Sequence, residues 1–92
     1  MKKLKDTLVL WLAGFGIPAD PIFADNRVKF ELEQREVDPV GLLRAIQTAS
    51  YSIRNLKSED RQNLFKPQVQ LELLSLVQGG GESFTPFADI FA

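Results

Sequence analysis

The chain contains no cysteine and no histidine among its 92 residues. Without cysteine it can form neither a disulfide nor a thiolate metal site. Without histidine it lacks the side chain that most often serves as a general base and as a transition-metal ligand. Serine–histidine–aspartate and cysteine–histidine catalysis are therefore excluded. We predict a protein that is not an enzyme, with no catalytic residue, no metal site and no cofactor.

The chain also lacks a strong excess of one charge, because it contains 11 basic and 12 acidic residues. Such a balance gives the chain as a whole no attraction to nucleic acid or to an anionic membrane. Residues 44–66 depart from it, with five basic and two acidic side chains. A basic surface in this segment could contact phosphate groups. Its candidate nucleic-acid contacts are Arg44, Arg54, Lys57 and Arg61, with Lys66 at the end of the segment.

Long hydrophobic runs are absent as well. The apolar run at residues 8–13 is far shorter than the roughly 20 residues that span a bilayer. Lys2, Lys3 and Lys5 precede it, as in a secretory signal peptide, but Asp6 and the early glycines disagree with that pattern. We therefore expect no membrane span and a cytoplasmic protein.

The segment 2–15 has the apolar spacing of a helix. The side chains that would share its buried face are Leu4, Leu8, Trp11, Leu12 and Phe15. Gly14 and Gly16 would end the helix, and residues 16–26 have the proline and aspartate content of an ordered loop. The alternative for residues 7–12 is a short buried strand.

Residues 27–35 have the alternating pattern of a strand. Val28, Phe30 and Leu32 alternate with charged residues, a period of two that is typical of a half-buried antiparallel strand. The predicted fold class is therefore α+β. We expect a small, mostly helical domain of three to four helices with one β-strand or a short antiparallel ribbon.

A single strand leaves its backbone N–H and C=O groups without partners, so this one must pair with another segment. Within the chain, the candidates are residues 7–12 and the segment around Ile22 and Phe23. A second copy could supply the same strand across a two-fold axis, and a foreign peptide is the remaining candidate. If a second copy supplies the partner strand, the protein is a homodimer, and this is the arrangement that we predict. Its pairing residues would be Val28, Phe30, Leu32, Lys29, Glu31 and Glu33.

Three further helices are predicted. Asp38 and Pro39 supply the N-cap and first residue of a helix that extends to about residue 57. Ser58 caps a short second helix, and Pro67 begins a last helix that ends at Gln78. The first of these helices carries an apolar seam that we expect to pack in the chain's own core rather than in a dimer. The seam consists of Leu42, Ile46, Ala49, Ile53 and Leu56.

The sequence divides into a compact domain, residues 1–78, and a C-terminal segment, residues 79–92. The segment begins with three glycines and then carries large apolar side chains at Phe84, Phe87, Ile90 and Phe91. Their spacing suits either a ligand that docks in the groove of a partner protein or a tail that folds back on its own core.

These patterns favour a non-catalytic interaction protein, an adaptor or regulator that acts as a homodimer. A protein partner could bind the C-terminal segment, although we expect this segment to fold back on the core. The alternative is a small nucleic-acid-binding regulator that uses residues 44–66.

Overall fold

The computed structural model describes residues 4–79, and every regular element in that range is a helix. The helices are α1 (Leu4–Gly14), α2 (Ala19–Ala24), α3 (Asn26–Leu32), α4 (Pro39–Ser50), α5 (Ser58–Asn63) and α6 (Pro67–Gly79). The α+β prediction is wrong, since residues 4–79 contain no strand.

Helix α3 replaces the predicted strand. Val28 and Leu32 are four residues apart, so they share the helix face that packs on the core. Phe30 lies roughly 200° around the helix from Val28 and is 62% exposed. The alternation therefore came from two residues of one helix face and one solvent-exposed phenylalanine. Lysine, glutamate and leucine are strong helix formers, which favours this local outcome.

The change removes the need for a strand partner. The backbone groups of α3 bond within their own helix or at its ends, as in the 3.0 Å bond from the N–H of Lys29 to the carbonyl of Asp25. The predicted strand pairing involves Val28, Phe30, Leu32, Lys29, Glu31 and Glu33. These residues form no strand, so the prediction that they pair with another segment, with a second copy or with a foreign peptide is wrong.

Helix α1 and the segment after it agree only partly with the predictions. The helix is confirmed from Leu4 to Gly14, and Gly16 reverses the chain in a left-handed conformation with φ at 77°. The predicted loop at 16–26 is wrong where α2 forms. Pro18 is the N-cap of α2 and Pro21 lies in its first turn, where a missing N–H breaks no bond within the helix.

Helix α4 begins where predicted but ends early. Asp38 caps it by accepting a 3.2 Å hydrogen bond from the N–H of Val40. The helix stops at Ser50 rather than near residue 57. Near its end, the hydroxyls of Thr48 and Ser50 donate to carbonyls three or four residues back, and such bonds compete with continued helix.

The two remaining predicted helices both form, with a one-residue difference at one end of each. Helix α5 exists, but its N-cap position is Lys57 and Ser58 is its first residue. Helix α6 begins at Pro67 as predicted and ends at Gly79. No helix within residues 4–79 has the length and apolar character needed to cross a membrane.

The core forms around α4, which packs against α2, α3 and α6, while α1 packs against α2 and α6. Ile53 and Leu56 contact this core from the connection after α4 rather than from a helix. A buried polar contact joins α1 to α6: the indole Nε1 of Trp11 donates to Oε1 of Glu72 at 2.6 Å. The Trp11 ring also meets Phe15 edge to face, with 5.2 Å between centroids.

The helical assignment of residues 26–32 predicts unequal effects at two neighbouring apolar positions. Val28→Ala empties space in the core and should lower the free energy of unfolding by about 1–3 kcal/mol. Phe30→Ala changes an exposed side chain and should alter it by at most about 0.5 kcal/mol. Urea unfolding followed by Trp11 fluorescence measures both. Comparable large losses would mean that the two side chains share a buried face, as in a strand.

The cap of α3 predicts a pH dependence. The Asp25 carboxylate accepts from the backbone N–H of Arg27 and pairs with its guanidinium, each at 2.8 Å. The hydrogen bonds from the Arg27 side chain hold the pKa of Asp25 at about 2, and Asp25 in turn raises the pKa of Arg27. Because the folded pKa is depressed, this stabilisation is complete above the unfolded value of 3.8 and is lost as pH falls through 2.

Asp25→Asn keeps a good N-cap side chain but cannot carry the negative charge. The wild-type chain should therefore be more stable than this variant at pH 5, and the difference should shrink as pH falls from 4 to 2. Urea unfolding of both proteins across this range provides the comparison. A difference that stays constant with pH would show that the Asp25 charge does not contribute to folding.

Candidate interaction surface

Two exposed aromatic rings meet where α4 ends and α6 begins. Tyr51 follows α4 directly and is 65% exposed, while Phe65 precedes α6 and is 49% exposed. Their ring centroids are 6.4 Å apart, with planes tilted by 55°. This separation is typical of an aromatic pair. The pair leaves a large apolar area in contact with solvent.

Arg61 of α5 fixes this pair to the scaffold. Its guanidinium carbon lies 5.0 Å from the centre of the Tyr51 ring, a cation–π contact. Its Nε donates to the carbonyl of Ser50 at 3.2 Å, and its Nη2 donates to the carbonyl of Ile53 at 3.3 Å. The Ser50 carbonyl belongs to the negative end of α4, where a cation is favoured. We call the surface formed by Tyr51, Arg61 and Phe65 the aromatic corner.

A second bond connects α4 with the start of the α6 segment. The side-chain amide of Gln47 donates to the carbonyl of Leu64 at 2.9 Å, and Leu64 is fully buried. Phe65 is thus the neighbour of an anchored core residue, although it is itself exposed. The backbone positions on both sides of the corner are held by side-chain hydrogen bonds.

The predicted basic residues surround this corner in sequence but do not share a helical face. Arg54 and Lys57 lie in the connection between α4 and α5, while Arg61 lies within α5. A common face would require one helix through all three, and α4 ends at Ser50. Arg44, Arg54, Lys57 and Lys66 are exposed, whereas Arg61 is half-buried and donates to backbone carbonyls.

The acidic residues of the same segment differ in their surroundings. Asp60 is half-buried and packs beside the turn at Gly16. A Cβ placed on Gly16 would lie 3.2 Å from one carboxylate oxygen of Asp60. Glu59 is exposed in the first turn of α5. Four exposed cations and one exposed carboxylate therefore leave residues 44–66 with a basic solvent-facing surface.

The former strand residues form no comparable site. Lys29 and Phe30 are exposed on α3, Glu33 is exposed at the C-cap position after it, and Glu31 turns towards the start of α4. The Glu31 carboxylate comes so close to Gly41 that a Cβ there would lie 2.8 Å from its Oε1. No group of three or more potential ligands within residues 4–79 could hold a metal ion.

An open cleft of about 670 Å³ lies between α1, α2 and the segment after α3. Its walls are mostly apolar, and the ammonium group of Lys5 lies 5.2 Å from the centre of the Phe23 ring at its edge. Asp6 and Asp20 also line it. The cleft offers an apolar surface with mixed charge and no converging set of catalytic groups.

The pairing of Phe65 with Tyr51 was not predicted from the sequence. The two residues are 14 positions apart, and neither lies on the apolar face of a predicted helix. The available signal was the presence of two aromatic residues flanking a short polar helix. The predicted docking residues Phe84, Phe87, Ile90 and Phe91 lie outside the described residues.

Comparison of the chain with protein-family models, with curated proteins and with solved structures found no match in any of the three.

Proposed function

We propose that this chain is a non-catalytic interaction protein that binds an acidic segment of a protein partner at the aromatic corner. The observation that carries this proposal is the fixed guanidinium of Arg61 over the exposed Tyr51 ring, which pairs with the exposed Phe65 ring. Tyrosine and arginine are enriched among the residues that dominate protein–protein binding energies, and phenylalanine is enriched in the centres of interfaces.

The corner is organised before any partner arrives. Two backbone carbonyls hold Arg61, and Arg61 in turn lies over the Tyr51 ring. Ordering side chains on binding costs roughly 0.5–1.5 kcal/mol for each flexible one. Because the guanidinium is already held in place, a ligand that stacks on this surface avoids part of that cost.

The surrounding charges specify an acidic partner. Arg54 and Lys57 precede Arg61 in the chain, Lys66 follows Phe65, and all three flanking cations are exposed. Carboxylates of the partner would meet these cations at the edge, while an aromatic or aliphatic side chain would contact Tyr51 and Phe65. Edge charges of this kind act mainly on the association rate and on the choice of partner.

The small size of the corner suits a peptide segment rather than a broad domain surface. Stable protein–protein interfaces bury about 1,200–2,000 Å² in total, and smaller ones belong to transient contacts. A weak, reversible contact fits an adaptor or regulator. We include the cytoplasmic location and the absence of an enzymatic activity in this proposal.

Single-stranded nucleic acid is the second candidate ligand. Exposed aromatic rings within a basic segment are the features on which bases stack and phosphates bind. Arg61 weakens this alternative, because its guanidinium covers one side of the Tyr51 ring and its donors already bond to protein carbonyls. The protein ligand is therefore favoured.

The proposal predicts binding of an acidic probe peptide in which one tryptophan lies among aspartate and glutamate residues. Adding the peptide to the isotopically labelled full chain should shift the amide signals of Tyr51, Phe65 and Lys66. Tyr51→Ala and Phe65→Ala should each weaken binding about tenfold, the equivalent of 1.4 kcal/mol. Phe30→Ala is the matched control, because Phe30 is a similarly exposed phenylalanine on α3.

The same titration with an oligothymidylate tests whether the aromatic corner binds single-stranded nucleic acid instead of an acidic peptide. Nucleic-acid binding would show a steep loss of affinity with salt, with a logarithmic slope near −0.7 for each phosphate contact. Oligothymidylate binding that depends on Tyr51 and Phe65, without peptide binding, would replace the protein-ligand proposal. If neither probe shifts these signals, the aromatic corner is not a binding site.

The homodimer expected from the sequence stays a prediction, and it has lost the strand that motivated it. Sedimentation of the full chain over a range of concentrations measures its mass directly. The proposed peptide binding does not depend on the result.

A further inference from the structure

The outward face of α6 has no charged side chain. Glu72 is the one ionisable residue of α6, and it lies in the core against Trp11. Leu71 is 66% exposed, and Leu74 is also exposed on the same side. The exposed residues of α6 are Pro67, Gln68, Gln70, Leu71, Leu74, Ser75 and Gln78. A solvated helix face normally carries charges, whereas this one combines uncharged polar side chains with two exposed leucines, so the leucines are a candidate contact for another segment.

The remaining chain starts at the end of this face. Helix α6 ends at Gly79, and Gly80 and Gly81 follow it in the sequence. Three successive glycines permit a sharp reversal of the backbone. Two antiparallel helices joined by two to five residues are a common arrangement, so a return path along α6 needs no longer connection.

Residues 82–92 are long enough to cover both exposed leucines. Leu74 and Leu71 lie five and eight residues before Gly79, which corresponds to roughly 8 and 12 Å along a helix. Eleven residues extend for about 16 Å when helical and about 36 Å when fully extended. The segment therefore reaches the two leucines in any regular conformation.

The composition of the segment matches the uncovered face. Phe84, Phe87 and Phe91 follow one another at intervals of three and four residues, the spacing of one helix face. In an antiparallel arrangement this apolar face would meet Leu71 and Leu74.

We propose that residues 82–92 of the same chain fold back along α6 and cover Leu71 and Leu74. The covering segment belongs to the same polypeptide, so its local concentration is set by the short connection through Gly80 and Gly81 and not by the protein concentration. A second copy of the chain would have to bury the same small face without that advantage. This proposal does not depend on the ligand of the aromatic corner.

A spin label tests it, because the chain has no cysteine and a single one can be introduced at will. Ala92→Cys carrying a nitroxide, in the isotopically labelled full chain, should reduce the amide signal intensities of residues 66–74. The combined substitution Leu71→Gln with Leu74→Gln should restore them. Leu10→Gln is the matched control, since Leu10 is an exposed leucine on α1 and its substitution should leave the signal loss unchanged.

Mixing spin-labelled chains without isotope with isotope-labelled chains without the nitroxide separates the possible occupants. Signal loss confined to chains that carry both labels supports the proposal. Equal loss in the mixed sample would show that a second copy covers α6 and would overturn it. Full signal intensity at residues 66–74 in both samples would show that the segment does not lie on α6, which would also overturn it.

Discussion

The guanidinium group of Arg61 joins the end of one helix to the exposed surface of the protein. It bonds to the carbonyls of Ser50 and Ile53 and lies over the Tyr51 ring. The Ser50 carbonyl is the last one of α4 and also accepts from the N–H of Ile53 at 3.3 Å, while the Ile53 carbonyl belongs to the connection that follows. The contacts of Arg61 also hold α5 against the connection and fix the orientation of Tyr51 beside Phe65. The end of α4 and the candidate binding surface are thus joined by the contacts of one side chain, alongside the bond from Gln47 to the Leu64 carbonyl.

Local signals in the sequence predicted many of the helix boundaries. The pair of Asp38 and Pro39 marked the start of α4, and Pro67 marked the start of α6. The strand prediction from the alternation at residues 28–32 was wrong, because three apolar positions cannot distinguish a strand from a short helix with one exposed aromatic residue. The aspartate cap and the helix-forming residues between Asp25 and Leu32 were the more informative features.

The binding surface was less accessible to prediction, since it depends on contacts between segments. The basic residues of 44–66 were visible in the sequence, but the role of Arg61 depends on where α4 ends. The apolar seam continues through Ile53 and Leu56 and therefore predicts a longer helix. Both residues do contact the core, but from the connection after α4, so the seam alone cannot show where the helix ends. The hydrogen bonds of Thr48 and Ser50 near the helix end, and those of Arg61 beyond it, appear only once the chain is folded.

The exchange rate of the Arg61 Nε–H proton, measured by ¹⁵N NMR on the full chain, tests this account most directly. A side chain whose Nε–H bonds to the Ser50 carbonyl in a half-buried site should exchange this proton much more slowly than the exposed Arg44 and Arg54 do. Protection at Arg61 alone among these three arginines is the predicted result. Exchange as fast as that of Arg54 would show that Arg61 does not hold the end of α4, and it would contradict the proposed organisation of the aromatic corner.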